Sequence, residues 1–405
     1  MRRCLAEEPS RGNKAGVAAH RARDDSEPGG IPVSNQELDA KRAARLLRRN
    51  IRRRRWPEAG LARYSAAVTK RIPPAPDAEA APPAERRWPP IIAVGPFRRV
   101  DPAQVMSIVT LSLVVAGSAA GVWWFWTRGL TWFDVALLIA MKFVTGLGIT
   151  LGLHRLFSHK AFEAAPALRA ALGILGAMTA QGQTTMWCSI HRKHHRYSDL
   201  PGDPHSPLPT GPGFAGALRG FVHGHVGWIV SGNFCTYVDY VRDLRRDPVV
   251  AWVDRWYWLW VPLGWIIPGL IGAAWYGSWA GYWSGLFAGG ALRTFFQLNF
   301  TWAVNSLAHW YGRRPFATRD DSRNNPLVNA LTMNGEGLHN NHHAFPWSAK
   351  FALFRGEVDP AWFVLRAFER LGWARNIRVP APRLIAARAA HALPEPAAAA
   401  RSAGD

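Results

Sequence analysis

Four long apolar runs occupy the middle of the chain, and both ends are polar. Val105–Trp126 carries no charge. Trp132–Leu153 holds Asp134 near its start and Lys142 within it. Trp256–Trp275 is uncharged but contains Pro262 and Pro268, and Trp279–Val304 is interrupted by Arg293 and Gln297. A helix crosses a bilayer in about 20 apolar residues, so each run is long enough. The links Thr127–Thr131 and Tyr276–Ser278 are short, so the runs pair into two helical hairpins. A further stretch, Ala164–Ala180, reads as a helix at or dipping into the membrane interface.

The flanks orient these elements. The short links hold one basic residue, Arg128, whereas the N-terminal stretch, residues 154–255 and the C-terminal region are crowded with Lys and Arg. By the positive-inside rule, both termini and the middle stretch belong in the cytosol. The predicted fold class is an all-α integral membrane protein of the inner (cytoplasmic) membrane. It has four transmembrane helices in two hairpins and a cytosolic helical cap. Residues 1–99 are predicted to be a basic, Pro/Ala-rich and largely disordered tail. Residues 100–375 form the membrane domain, and residues 376–405 an Ala/Pro-rich C-terminal tail.

Composition sharpens this picture. Many of the 21 tryptophans stand at the ends of apolar runs, as interfacial aromatic belts require. The net charge is +21, and residues 1–100 hold 22 basic against 11 acidic side chains. Such an excess suits anionic lipid or an acidic protein partner; no nucleic acid is expected, because no aromatic or motif context supports it. Cys4, Cys188 and Cys235 form neither a disulfide framework nor a CxxC metal site. No secretory signal is visible at the start of the chain. Metal chemistry here must therefore rest on nitrogen and oxygen ligands.

Those ligands are histidines. Nine of the fourteen fall into three boxes and one single: His154 and His159 in HRLFSH; His191, His194 and His195 in HRKHH; His309 in NSLAHWYG; His339, His342 and His343 in HNNHH. One histidine alone is most simply a hydrogen-bonded core or surface residue; nine in this pattern are not. HxxHH spacing puts three imidazoles on one helix face, able to project toward one point. The five-residue spacing of HRLFSH diverges by about 140° on an α-helix, so it calls for a helix end, with His154 on the last turn and His159 beyond it. Asn305 and His309 are four apart and aim the same way. With the predicted topology, all the boxes share the cytosolic side; an extra crossing in the middle stretch would split them. A zinc site takes about four ligands, so this number points to two metals with room for a small molecule.

At this point the boxes, together with DPHSP, GHVGW and TRDDSRNN, make residues 100–375 resemble the membrane fatty acyl desaturases of the acyl-CoA Δ9 (stearoyl-CoA) type. The resemblance implies two Fe ions held by the nine histidines, with Asn305 holding a water on one of them. One iron would take His159, His191, His195 and His343 or a similar subset. It implies O2 as co-substrate and a cis double bond introduced into a long-chain fatty acyl group, at Δ9. The electrons would come from a separate donor such as a ferredoxin or a cytochrome b5-like protein, since the chain carries no flavin, haem or ferredoxin motif. Trp187 and Gln183 are candidates for the wall of a substrate tunnel, against ordinary core packing. His205, His223 and His225 are expected to support the site rather than ligate. Lys142 and Arg293 are expected to face the interior of the bundle.

The resemblance departs where animal acyl-CoA enzymes carry an Arg–Asp pair before the second box; here Ser189 and Ile190 stand there, and Gly232 and Asn233 replace basic residues further on. The acyl carrier could be CoA, a membrane lipid or a carrier protein. Two rival functions are a di-iron fatty acyl or alkyl hydroxylase and, from another class, a histidine-lined metal transporter.

Overall fold

A computed structural model of the protein describes residues 102–208, 210–231 and 236–390. The predicted N-terminal tail, the Gly232–Asn233 departure and residues 391–405 lie outside the described residues. The described chain is mostly helical. Three helical stretches are long and apolar enough to cross a membrane: 107–128 within helix α1 (Pro102–Arg128), Trp132–Ser158, and helix α7 (Tyr257–Tyr276). The fourth apolar run is also helical, as α8 (Trp279–Gly285), a π-helical turn (Leu286–Leu292) and α9 (Arg293–Trp310). It buries Arg293, Thr294 and Gln297 and is not one of the three apolar spans.

Local chemistry sets the tight turns. Thr131 caps helix α2 (Trp132–Leu147) in a reciprocal capping box with Asp134. Gly277 ends α7 with φ 61°, a left-handed conformation that glycine adopts at little cost. Ser278 then caps α8 through the Gly281 N–H. The two turns meet: Phe133 stacks on Trp275 with ring centroids 4.3 Å apart, the Thr131 and Tyr276 hydroxyls bond, and Ser284 donates to Asp134 at 2.8 Å. Trp126, Trp132, Trp275 and Trp279 are exposed around this end. Both hairpins therefore turn back at the same end of the bundle.

Helix α2 does not stop at Leu153, where the apolar run ends. It continues in π-helical geometry from Gly148 to Ser158. Helix α3 (Pro166–Ala177) lies along this segment, so closely that a Cβ on Gly148 would run into the Gly176 backbone. Around them pack α4 (Thr184–Tyr197), α6 (Pro248–Arg255), α11 (His339–Ala344) and α12 (Pro360–Arg370), while α5 (Gly213–Val222) and α10 (Pro326–Thr332) pack against α9. Leu147, Leu151, Phe157, Leu172, Cys188 and Leu365 share the main core cluster. Strands β1 (Glu163–Ala164) and β2 (Ala374–Arg375) close the cap as an antiparallel pair. The stretch from residue 376, predicted as the start of a tail, packs on this body: the Arg378 N–H bonds the Ala161 carbonyl, and α13 (Pro382–Ala390) brings Ile385 against Phe316 and Phe345.

Both charges in the apolar runs face inward. Lys142 donates to the Thr332 carbonyl at 3.2 Å. Arg293 is fully buried and donates to the carbonyls of Gly264 (2.6 Å), Met178 and Gly289 (both 3.0 Å). The Gly264 carbonyl needs this donor. Its helical partner would be residue 268, a proline with no N–H.

Arg293→Met is expected to lower the melting temperature of the detergent-solubilised protein, because each carbonyl left unpaired costs about 1–3 kcal/mol. Pro268→Ala restores the N–H and should recover part of that loss in the double variant. An unchanged melting temperature, or no recovery, would refute this account.

Candidate metal centre

The nine histidines converge from four helical elements into two sets. His154, His159, His191, His195 and His342 place one ring nitrogen each within 4.8 Å of one another, and so do His194, His309, His339 and His343. The first set differs in two places from the example subset suggested by the resemblance: His342 stands in place of His343, and His154 joins. The reason is helical phase. Residues i and i+4 differ by about 40°, but i+3 and i+4 differ by about 100°. Each HxxHH box therefore sends its i, i+4 pair to one set and its middle histidine to the other. His191 and His195 go with His342, while His339 and His343 go with His194. The expectation that each triplet points at one centre is thereby overturned, and α4 and α11 each serve both sets.

The first box is solved differently. In a π-helix the bond runs from i to i+5, so residues five apart stand one turn above each other. The His159 N–H bonds the His154 carbonyl at 3.1 Å, and the two rings are 5.1 Å apart. The other letters of the boxes hold the frame. Arg155 is fully buried and grips Asp359 with two bonds of 2.9 Å. Arg192 donates to the Phe157 and Ser158 carbonyls and to Asp243. Asn340 and Asn341 tie α11 to the loops carrying Phe316, Ser322 and Phe351.

Nε2 atoms face one another across both sets. The separations are 3.0 Å for His154–His342, 2.8 Å for His159–His191 and for His195–His342, 3.0 Å for His309–His339 and 3.4 Å for His194–His343. Two nitrogens bound at about 2.1 Å and at right angles to one metal ion would be about 3.0 Å apart. On the far side of four rings stands a carboxylate. Glu336 lies 2.7 Å from His154 Nδ1, Asp203 3.0 Å from His194 Nδ1, Asp199 2.7 Å from His309 Nδ1 and Asp320 2.8 Å from His343 Nδ1. Such a partner keeps the proton on Nδ1 and turns the Nε2 lone pair inward. Burial, reinforced by neighbouring imidazoles, holds His159, His191, His195, His339 and His342 well below their ordinary pKa. Burial brings His343 down to about 4 although Asp320 opposes it. For His194 the balance reverses: burial acts to lower it, but the Asp203 carboxylate wins and raises it. A buried group of mostly neutral nitrogens with converging lone pairs is a donor set that fits two transition-metal ions.

A cavity of about 500 Å³, counting its open mouth, touches both sets through His154, His191, His194 and His339. Asn305 and Trp187 line it as well. Trp187 stacks on His191 at 5.0 Å, and its indole N–H donates to Gln181, which in turn donates to Thr301. Gln183 is not among the lining residues. It occupies the N-cap position of α4, and its amide donates to the Asp254 carbonyl at 2.9 Å, so the glutamine that meets Trp187 is Gln181. His205 stacks on His194, and His225 bonds Ser306 at 3.0 Å.

Sequence reasoning assigned no role to Asp199, Asp203, Asp320 or Glu336. The signal was present in SDLPGD following the second box, TRDDS, and the glutamate three residues before His339. Asp199 adopts φ 57°, uncommon outside glycine, while its carboxylate accepts from both His309 and the Asp321 N–H.

Comparison with known proteins agrees with this geometry. The sequence model of the family described as fatty acid desaturase matches residues 129–355. The chain is 38% identical to the hex-5-enoyl-(acyl-carrier protein) acetylenase of Moorena producens, over 69% of this chain and 86% of that one. It is 32% identical to the sn-2 palmitoyl-lipid 9-desaturase of a Nostoc species, over 70% and 94%. It is 35% identical to human stearoyl-CoA desaturase 5, over 58% and 68%. The chain therefore belongs to the fatty acid desaturase family and is a membrane enzyme, an oxidoreductase of lipid metabolism.

Proposed function

We propose that the protein is an oxygen-dependent di-iron desaturase that introduces a cis double bond into a long-chain fatty acyl group, at Δ9. The observation that carries this is the pair of interlocked imidazole sets, of five and four nitrogens, at the wall of one cavity. His154, His159, His191, His195 and His342 would hold one iron; His194, His309, His339 and His343 would hold the other, with Asn305 supporting a water beside it. When bound, the irons supply what no side chain can, the use of O2 and two electrons to remove hydrogen from unactivated methylenes.

The chain's own residues supply position. The four carboxylates fix the ring tautomers, and Arg155 and Arg192 lock the helix ends that carry the rings. Trp187, held by Gln181 and Thr301, gives the acyl chain a rigid wall next to His191. The hairpin tips gather at one end, opposite the boxes in chain order, which supports four spans with the centre on the cytosolic side of the inner membrane. The donor is read as a separate ferredoxin or cytochrome b5-like protein, drawn to the basic cytosolic face. The acyl carrier is read as CoA or a membrane lipid, with a carrier protein, named in one relative, as the third possibility.

Expressed in a host without a desaturase of its own, the chain should yield new monounsaturated acids whose double bond mass spectrometry locates at Δ9. Hydroxylated chains alone, or unaltered acids from iron-loaded protein, would sink this reading. The purified protein should carry about two irons per chain, one for each histidine set. Replacing His191 and His195 together by alanine should remove one of them and abolish activity, whereas full iron content in that variant would overturn the assignment. Asp320→Asn should weaken iron binding or activity by about 10–100-fold through the orientation of His343; wild-type iron affinity and rate would show that this carboxylate does not act on the centre.

A further inference from the structure

One part of the cavity wall is polar where an alkyl chain would need it to be apolar. Gln297 and Asn334 line the cavity and are 3% and 2% exposed. Gln297 Oε1 and Asn334 Oδ1 are both buried without a hydrogen-bond partner among the described residues. Thr332, also lining, is buried beside them, and its carbonyl takes a bond from the buried ammonium of Lys142. Gly146 makes the room: the Asn334 amide nitrogen fills the place that a Cβ on Gly146 would take, and Gln297 Oε1 lies 3.6 Å from that same point. Gln297 precedes Asn305 by eight residues on α9, which places it about 12 Å along the helix from Asn305.

Packing methylenes against two unpaired amide oxygens forfeits about 1–3 kcal/mol for each. A hydroxyl removes that cost at one of the two oxygens, and at both once one amide is turned over. It donates to an amide oxygen, and it accepts from an amide N–H if either side chain is turned over, so it suits both orientations of the two amides.

We propose that Gln297 and Asn334 form a hydroxyl-binding subsite in the cavity wall, so that the preferred acyl chain carries a hydroxyl at its inserted end. The proposal rests on the desaturase reading for the identity of the chain, not for the existence of the subsite. Gln297 and Asn334 are thus specificity-determining residues, distinct from the nine histidines and Asn305.

Binding tests it separately from catalysis. The melting temperature of the full-length protein in lipid nanodiscs would be titrated with lauric and palmitic acids and with their ω-hydroxy counterparts. The ω-hydroxy acid of at least one pair should bind about tenfold more tightly, as one satisfied buried hydrogen bond predicts. In Gln297→Leu, and independently in Asn334→Val, that preference should vanish or reverse in favour of the plain acid. Equal affinities within both pairs in the wild type would overturn the proposal, leaving the polar wall to water. A preference kept by both variants would overturn it as well. In the expression host, feeding the same acids tests the desaturase reading alone: unaltered chains together with selective, variant-sensitive binding would leave the subsite standing and remove the reaction.

Discussion

A neutral imidazole offers one lone pair, and the hydrogen bond at its other nitrogen decides where that lone pair points. Carboxylates make this decision by hydrogen bonds for His194, His309 and His343, and a fourth, Glu336, stands 2.7 Å from His154 Nδ1. They come from three separate loops, so the loops must close before the centre exists. Asp199 shows the consequence: it accepts from His309 on α9 and from the backbone of Asp321 near the third box, at the expense of a left-handed backbone. The remaining frame follows from holding these loops together. Arg155–Asp359, Arg192–Asp243 and the Asn340 and Asn341 bonds all tie a box to a distant segment.

The same logic governs the bundle. Pro268 leaves a carbonyl without its helical donor inside an apolar span, and Arg293 supplies one. The charge is thus part of the helix packing, held by three carbonyls from three segments. The side-chain oxygen of Gln297, one turn further along α9, is buried without such an answer among the described residues. Burial in both cases raises the stakes of each polar group, and the difference between a paired and an unpaired one separates a structural residue from one that faces a ligand.

Much of the centre was legible beforehand. Histidine spacing marks all nine rings, and the structure brings all nine together. Asn305 lines their cavity and Trp187 stacks on one of them. The helical hairpins were legible in apolar run length and short links, and the meeting of Thr131, Phe133, Trp275 and Tyr276 joins their tips. Gln183 was not legible, because a glutamine at an N-cap and one facing a cavity look alike two residues apart. The carboxylates were hidden because acidic loop residues are common and only their distance to a ring nitrogen distinguishes them.

The sequence alone determined the number and type of donors, the apolar lengths and the family, because these are properties of residue identity and spacing. The tertiary structure decided which histidine serves which set, since that depends on the phase of α4 against α11 and on π-helical winding at Gly148–Ser158 that stacks residues five apart. It also decided that the cavity is lined by two amide oxygens without a partner among the described residues, because an unsatisfied group is defined by what fails to reach it, and only the packed chain shows that.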